Sequence, residues 1–176
     1  PPSREWGDNV KLAYWINVYN ALTIQLILKY YPVKSIKDIG STIQIPYVNT
    51  PWDIKCFEIN DGEELSLNNI EHGIIRKDFE EPRIHFAVNC ASIGCPALRE
   101  EAYRGEVLES QLDQATRRFL ADRERNGLRD GQLYLSKIFD WYGKDFEQGW
   151  RGQSSLEAFL AGYADELAKL VAEVCV

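Results

Sequence analysis

The sequence of 176 residues contains no methionine, only two histidines and four cysteines, and no excess of basic residues. Twenty lysines and arginines against 27 acidic residues give a net charge of −7, which argues against a broad surface for a nucleic-acid backbone. Four cysteines in a chain of this length are too few for a disulfide-stapled mini-domain. No window of about 18 uninterrupted apolar residues occurs, and we therefore expect that this chain does not span a bilayer.

The lack of methionine, together with the start at Pro1-Pro2-Ser3, predicts a processed product or an excised piece of a longer protein. A preceding signal peptide or membrane anchor would not be visible in such a chain. The remaining composition is that of an ordinary globular protein, with 45% hydrophobic and 27% charged residues. The length, with no internal repeat and no linker-like stretch, predicts a single domain over residues 1–176.

The most apolar region of the sequence covers residues 10–31 and is closed by Pro32, which predicts one long helix. Asp8 or Asn9 is the expected N-cap of this helix. Because apolar residues cover nearly its whole circumference, most of the helix should be buried.

Two amides interrupt this apolar helix. Asn17 and Asn20 are three residues apart and therefore share one face. Since an unpaired buried amide costs about 1–3 kcal/mol, these side chains need a polar partner elsewhere in the fold.

Shorter elements follow along the chain, and their patterns have either the strand or the helix period. Strands are expected over residues 42–48, 54–59, 84–88 and 133–135, and helices from Ser66 to about residue 77, over residues 107–125, from Ser136 onward and over residues 155–174. Pro96 is expected to open a further helix, because proline is favoured in the first helical turn. Together these elements predict an α+β fold in which the long helix packs under a small, mostly antiparallel sheet with further helices around it.

The loop around Cys90 is the segment with the most reactive side chains. A helix beginning at Pro96 would place its positive end next to Cys95, where it lowers the pKa of a nearby thiol and can hold an oxyanion. A nucleophilic cysteine also needs a base, and His72 and His85 are the only histidines of the chain.

Six strings stand in one order along the chain: AYWINVYNAL (13–22), YPVKSI (31–36), IEHGIIR (70–76), PRIHFAVNCAS (82–92), GCP (94–96) and IFDWY (138–142). In this order they resemble the bacterial branch of the domain-of-unknown-function family numbered 547, over residues 7–163. The resemblance implies a site built from family-motif positions, namely Asn17, Asn20, Glu71, His72, Arg76, Arg83, His85, Asn89, Cys90 and Cys95.

The resemblance carries two further expectations. Some family members look like papain-type thiol enzymes, which implies a papain-like arrangement with the order of its motifs permuted. The family also implies a bacterial periplasmic or secreted protein, with the cytoplasm as the alternative location.

Residues and resemblance together suggest a catalytic assignment. Cys90 is predicted to be the nucleophile and His72 the base, with Asn17 or Asn20 and Glu71 as orienting groups. The predicted function is that of a thiol-dependent hydrolase or transferase that acts on a peptide-like or amide substrate, without a metal or another cofactor.

Six further residues are predicted to bind the substrate: Arg76, Arg83, His85, Asn89, Ser92 and Cys95. The two arginines would hold a substrate carboxylate, because guanidinium groups bind carboxylates through paired hydrogen bonds. The expected partner is a small molecule or a peptide and no nucleic acid, while the oligomeric state is not indicated.

Three alternatives remain open for the same residues. Cys90 and Cys95 can close a small loop as a disulfide in an oxidising compartment, which would hide the nucleophile. The two cysteines can instead bind zinc together with His72 and His85. A non-catalytic domain of an envelope protein can bind a peptide or a small thiol in the same cleft.

Structural roles are open as well. His85 can be a strand histidine bonded to backbone, and Asn17 and Asn20 can brace neighbouring loops. Four aromatic residues at helical spacing are expected in the core: Phe139, Trp141, Tyr142 and Phe146.

Overall fold

The computed structural model describes residues 2–40, 49–55, 57–59, 62–130 and 132–163. The strand expected over residues 42–48 and the end of the last expected helix, beyond residue 163, lie outside the described residues. The chain forms two compact units that each use three stretches of sequence. Unit 1 comprises Pro1–Phe79, Val88–Ile93 and Glu100–Leu108, and unit 2 comprises Glu80–Ala87, Gly94–Arg99 and Glu109–Val176. The interpretation of residues 1–176 as a single domain stays a prediction.

Unit 1 is built around the 22-residue helix α1 (Asp8–Lys29). This confirms the long helix expected over residues 10–31, although it begins two residues earlier. Its N-cap is Gly7, not Asp8 or Asn9, and no side chain caps the helix there. The helix ends before Pro32, as the ring of that residue requires.

Helix α1 packs against two short segments of unit 1. These are a 3₁₀ turn over Gly105–Val107 and a π-helix over Asn69–Ile75. The first contact requires glycine, because a Cβ atom at Gly105 would lie 2.8 Å from the Cα atom of Val10. The polypeptide backbones therefore approach each other directly at this point.

The C-terminal half of α1 is less buried than its sequence predicts. Ile24 is 44% and Leu28 is 66% exposed. Both residues line an open cavity of about 620 Å³ together with Phe57. The apolar circumference of the helix is thus only partly covered by the described residues.

Unit 1 also contains a β-hairpin and a helix that is π-helical in its first part and α-helical at its end. Strand β1 (Phe57–Ile59) pairs in antiparallel fashion with β2 (Glu63–Leu65), so that only the end of the strand expected over residues 54–59 is formed. Ser66 then caps the next helix as predicted: its Oγ accepts a hydrogen bond from Asn69 N, and Asn69 Oδ1 accepts one from Ser66 N. The π-helix over Asn69–Ile75 continues as the short helix α2 (Arg76–Asp78).

The second half of the chain alternates helices with one more hairpin. Its elements are α3 (Leu108–Leu120), β3 (Gly127–Arg129), β4 (Gln132–Tyr134), α4 (Ile138–Trp141), α5 (Gly143–Glu147) and α6 (Leu156–Ala161). Strands β3 and β4 pair in antiparallel fashion. Ser155 caps α6 as predicted, since its hydroxyl oxygen accepts a hydrogen bond from Ala158 N. The N-cap of α4 is Lys137, and the hydroxyl oxygen of Ser136 directly before it accepts from Ile138 N.

Two sequence-based expectations in this half were wrong. Residues 84–88 form no strand: Pro82–Phe86 is a 3₁₀ helix, whose first turn is capped by the Glu81 carboxylate accepting from Arg83 N. Pro96 opens no helix, because residues 95–99 have no regular structure. The expected effect of a helix dipole on the thiol of Cys95 is therefore removed.

The core of unit 2 is a cluster of phenylalanine rings. Phe146 is fully buried, and its ring centroid lies 5.2 Å from that of Phe139 and 4.9 Å from that of Phe159. The expected core role of Phe139 and Phe146 is thus confirmed. Trp141 is a correction, since half of its surface is exposed.

The architecture is α+β, and all strand pairs of the described residues are antiparallel. Nothing in it supports the papain-like permutation. Among the described helices, none combines the length and the apolar character that crossing a membrane requires.

Candidate functional site

The backbone on both sides of Cys90 is held by two side chains of unit 1. Asn20 Oδ1 accepts a hydrogen bond from Asn89 N at 2.8 Å, and Trp52 Nε1 donates one to the carbonyl oxygen of Cys90 at 3.2 Å. The buried amide of α1 thus has its polar partner directly before Cys90. Its role in orienting a base stays a prediction, whereas its role in fixing this loop is visible.

The residue after Cys90 has an unusual backbone conformation. Ala91 lies in the left-handed region with a φ of 58°, which costs a residue with a β-carbon about 1–2 kcal/mol. Its N–H donates to Asn89 Oδ1 at 2.7 Å, and this bond supports the turn. Backbone outliers of this kind cluster at functional sites, and this one directly follows the predicted nucleophile.

Cys90 and Cys95 are disulfide-bonded. Neither sulfur is therefore a thiolate in this structure. The pairing of Cys90 with Cys95 stays a prediction. The two residues differ in exposure, since Cys90 is half-buried and Cys95 is 5% exposed. Ser92 lies between them and is half-buried.

Asp53 is a carboxylate that the sequence analysis did not single out. It ends the 3₁₀ turn Pro51–Asp53, where it accepts hydrogen bonds from Thr50 N and from Asn68 Nδ2. Burial raises the pKa of Asp53, but the hydrogen bonds from the hydroxyl and N–H of Thr50 and from Asn68 outweigh it and hold the value below its usual range. A protonated His72 lowers it further. Asp53 is therefore ionised at neutral pH and lies within electrostatic reach of His72.

His72 lies in the π-helix and contacts Arg76 one turn later. Arg76 Nη1 lies 2.9 Å from His72 Nδ1. Because a guanidinium group only donates, Nδ1 accepts and the proton of the neutral ring is on Nε2. In this state His72 offers an N–H donor, and it can act as a base only after Arg76 has left Nδ1.

The turn Pro51–Asp53 connects these groups. Trp52 contacts the backbone of Cys90, and the next residue, Asp53, interacts with His72. Two neighbouring residues of this turn thus reach the backbone of the predicted nucleophile and the electrostatic surroundings of the predicted base. The arrangement holds a cysteine, a histidine and an ionised carboxylate, the three types of group that thiol-dependent acyl transfer uses.

Asn17 and Glu71 were predicted to orient His72, but their hydrogen bonds in the structure join them to other residues. The amide of Asn17 is bonded on both sides to the backbone of Tyr103, donating to its oxygen and accepting from its nitrogen at 2.8 Å each. Glu71 is buried and accepts a hydrogen bond from Tyr19 Oη at 2.8 Å. Asn17 thus braces a loop, and Glu71 ties the π-helix to α1.

Replacing Tyr19 with phenylalanine should lower the free energy of unfolding by about 1–3 kcal/mol. The change removes the donor to the buried carboxylate of Glu71 and leaves the ring in place. Equilibrium unfolding in urea measures the effect, with Tyr31→Phe as the control because Tyr31 is 74% exposed. Equal stabilities of the two variants would contradict a stabilising bond between Tyr19 and Glu71.

Arg83 corrects a predicted substrate contact. It belongs to unit 2, is 1% exposed and donates to the carboxylates of Glu81, Glu109 and Asp113 at 2.6–2.8 Å. With a fifth bond to the carbonyl oxygen of Glu109, all five N–H groups of the guanidinium are used. Arg83 therefore has no donor for a substrate carboxylate and stabilises unit 2 instead.

His85 is a second correction. It is 2% exposed, its Nε2 lies 2.8 Å from Asp145 Oδ2, and its ring stacks on that of Tyr142 at 3.9 Å. This side chain has almost no surface to offer a substrate. It lies in a 3₁₀ helix and not on a strand, and it forms a buried pair with Asp145 within unit 2.

No group of three or more histidine, cysteine, aspartate or glutamate side chains that could hold a metal ion occurs within the described residues. The zinc alternative would also need both cysteines as thiolates, while the structure has them oxidised.

Trp52 and Asp53 are the site residues that sequence reasoning missed. A local signal was present, because Thr50 and Asp53 have the spacing of a capping box, in which a side chain at each end bonds the other's backbone. That signal predicts a tight turn, but it does not tell which distant residues the turn contacts.

The family model described as "Protein of unknown function, DUF547" matches residues 3–120. This range contains every residue of the predicted site and five of the six strings, but not the string at residues 138–142. No curated protein and no solved structure matches the chain.

Proposed function

The chain belongs to this family of unknown function, DUF547, and we propose that it is a thiol-dependent hydrolase or transferase acting on a peptide-like or amide substrate. The observation that carries the proposal is the turn Pro51–Asp53, whose Trp52 contacts Cys90 and whose Asp53 interacts with His72. The disulfide makes the observed state a resting state, so the activity requires reduction of Cys90 first.

The reaction starts once the thiol of Cys90 is free. A substrate carboxylate or carbonyl draws Arg76 away from His72 Nδ1, and the released nitrogen takes the proton of the thiol. The ionised Asp53 stabilises the imidazolium that forms. This sequence gives Arg76 the substrate contact that the sequence suggested and links substrate binding to the activation of the base.

The bond changes are those of acyl transfer through a covalent intermediate. Cys90 Sγ attacks the amide carbonyl and forms a thioester, while the C–N bond breaks and His72 protonates the leaving amine. Water then releases the acyl group in a hydrolase, whereas a second amine takes it in a transferase. Asn20 contributes by holding Asn89, and with it Cys90, in position.

Alkylation of the reduced protein with iodoacetamide tests the proposal. The labelling rate of Cys90, read by peptide mass spectrometry across a pH series, should report a thiol pKa well below the ordinary value of about 8.5. His72→Gln should lower the rate at pH 6 about tenfold. Cys95 in the same digest is the reference for a buried thiol, since it is 5% exposed.

A non-catalytic domain that binds a peptide or a small thiol is the second candidate. It is favoured by the observed state, in which Cys90 is oxidised and Arg76 occupies Nδ1 of His72. If reduced Cys90 titrates near pH 8.5 in both wild type and His72→Gln, the catalytic proposal fails and the binding domain takes its place.

The bacterial branch of the family and a periplasmic or secreted location are proposed on the resemblance. The disulfide supports such a location, because disulfides persist in oxidising compartments. In the cytoplasm, the alternative, the cysteines would be kept reduced.

A further inference from the structure

We propose that the C-terminal end of α1, together with the segment that follows it, docks on an anionic lipid surface. The docking face consists of four large apolar side chains and three lysines of unit 1. Its apolar members are Ile24, Leu28, Tyr30 and Tyr31, and its lysines are Lys29, Lys34 and Lys37.

The apolar side chains of the docking face are open to solvent. They are between 40% and 74% exposed, and they make up four of the nine exposed large hydrophobic residues within the described part of the chain. Ile24 and Leu28 are four residues apart and share one face of α1. Tyr31 N donates to the carbonyl oxygen of Leu28, which keeps Tyr31 next to the last turn of the helix. Clustered exposure of this kind marks an interaction surface, whereas single exposed apolar residues do not.

An open cavity lies beside these side chains. Its volume is about 620 Å³, and Ile24, Leu28 and Phe57 line it together with Lys29. A mostly apolar cavity with few polar groups is typical of sites that bury an apolar ligand. This cavity offers room for the acyl region of a lipid, with a cation in its lining for the headgroup.

The charge of the same stretch is opposite to that of the whole chain. The chain has a net charge of −7, yet residues 9–37 contain four lysines and no aspartate or glutamate. Lys29, Lys34 and Lys37 are exposed. Because charges more than about 10 Å apart are largely screened at about 0.1 M salt, remote carboxylates weaken the field of these lysines little. The docking face therefore attracts an anionic partner.

The hairpin next to the cavity carries glutamates, and its register places most of them elsewhere. Glu58 pairs with Glu64, and Phe57 pairs with Leu65. Since successive side chains of a strand point to opposite faces, the paired glutamates lie on the face away from Phe57. Glu63 is at the turn end of the hairpin.

The residue types favour a lipid surface over an acidic peptide. All cations of the docking face are lysines, whose compact charge suits diffuse attraction to many headgroups, whereas arginine suits the paired recognition of a carboxylate. Tyrosine and lysine also have apolar bodies and polar tips, as the boundary between headgroups and acyl chains requires. Lys29 Nζ lies 5.5 Å from the ring centre of Tyr30, so that both kinds of group are presented together.

This inference does not rest on the proposed function, because the docking face contains neither Cys90 nor His72. Vesicle binding is measured without reducing the protein, and thiol labelling is measured without vesicles. Failure of one proposal therefore leaves the other standing.

Sedimentation with large unilamellar vesicles tests the proposal on the wild-type protein. The protein should bind vesicles of phosphatidylcholine with one third phosphatidylglycerol more tightly than vesicles of phosphatidylcholine alone. Raising the salt concentration should weaken the binding, because salt screens the attraction between lysines and headgroups. No binding to the anionic vesicles, or equal binding to both kinds, would overturn the proposal.

The double variant Lys29→Gln/Lys34→Gln tests the charged part of the docking face. It should bind the anionic vesicles at least about tenfold more weakly than wild type, since each lysine near the surface contributes to the attraction. Lys77→Gln is the matched control, because Lys77 is exposed and lies outside the docking face. Equal losses in the two proteins, or no loss in either, would contradict the assignment.

Leu28→Ser tests the apolar part, with Ile93→Ser as its control because Ile93 is 95% exposed and lies outside the docking face. Leu28→Ser should bind about tenfold more weakly, since its side chain no longer enters the acyl region. If this variant does not fold, the lysine variant decides, because it changes only exposed side chains. A wild-type protein that ignores the vesicles but forms dimers that Leu28→Ser abolishes would assign the face to a second copy of the chain and overturn the lipid surface.

Discussion

Arg83→Met should lower the free energy of unfolding by about 3–5 kcal/mol, the loss that follows when one partner of a buried ion pair is removed. Arg83 is 1% exposed and uses all five N–H groups, four of them on the carboxylates of Glu81, Glu109 and Asp113. Methionine fills a similar volume but removes the buried cation that all three carboxylates share, which leaves Glu81 and Glu109 with the half-exposed Arg151. Urea unfolding at pH 7 measures the change, and an unaltered slope with denaturant shows that the variant still unfolds from a compact state.

Two variants make this result specific. Arg118→Met on the exposed face of α3 removes the same charge at the surface and should change the stability by less than about 0.5 kcal/mol. Arg83→Lys keeps the charge but not the planar set of five donors, so its stability should fall between those of wild type and Arg83→Met. A value for Arg83→Met within 1 kcal/mol of wild type would show that the carboxylates have found other partners, and would refute this account of unit 2.

The same cluster gives the wild-type protein an acid-sensitive stability. Burial raises the pKa of Glu109 and of Asp113, but the hydrogen bonds and the charge of Arg83 outweigh it and hold both values below their usual range. A carboxyl group whose pKa is lower in the folded than in the unfolded state stabilises the fold above its unfolded pKa of about 4. This contribution is lost as the pH falls through the folded values. Arg83→Met should therefore lose less stability than wild type between pH 5 and pH 3.

The sequence predicted elements whose signals are local. Helix α1 follows from a continuous apolar stretch before Pro32, and the caps at Ser66 and Ser155 follow from hydroxyl groups placed ahead of apolar runs. The strand expected over residues 84–88 was wrong because a short apolar run has no period that separates a strand from a buried helical turn. Pro82 in the first turn and the hydrogen bond from Arg83 N to the Glu81 side chain favour the 3₁₀ helix that the structure shows.

The site was predicted only in part, because its decisive contacts join distant positions. The need of Asn20 for a polar partner was readable from the sequence, and the partner is Asn89, 69 residues away. The ion pairs of Arg83 could not be predicted from the sequence, since Glu109 and Asp113 reach it only through the tertiary fold. Asp53 was not predicted as a site residue for the same reason. The sequence indicates the local turn of Thr50 and Asp53, but it does not indicate that the carboxylate of Asp53 interacts with His72.

Asp53→Asn should slow the alkylation of reduced Cys90 about tenfold at pH 6 and leave the rate at pH 10 unchanged. The pKa of Asp53 is held low, so that its carboxylate is charged at pH 6. In the proposed mechanism this carboxylate stabilises the imidazolium that forms when His72 takes the proton of Cys90, and it thereby favours the thiolate. Without the carboxylate the thiol pKa rises, and each unit of that rise reduces the thiolate fraction tenfold as long as the pH is below the pKa. At pH 10 the thiol is ionised in both proteins, and the difference disappears.

The control for this variant is Asp38→Asn. Asp38 belongs to another 3₁₀ turn of unit 1, Ile36–Asp38, and accepts from Ser35 N at 3.0 Å, so that its substitution removes the same kind of backbone bond in a separate turn. It should alkylate like wild type at both pH values. A slowdown of Asp53→Asn that is equal at pH 6 and pH 10 would mean that the substitution closes access to Cys90, since ionisation then plays no part. Unchanged rates at pH 6 would remove Asp53 from the site, because a carboxylate that supports the thiolate through His72 must act where the thiol is only partly ionised.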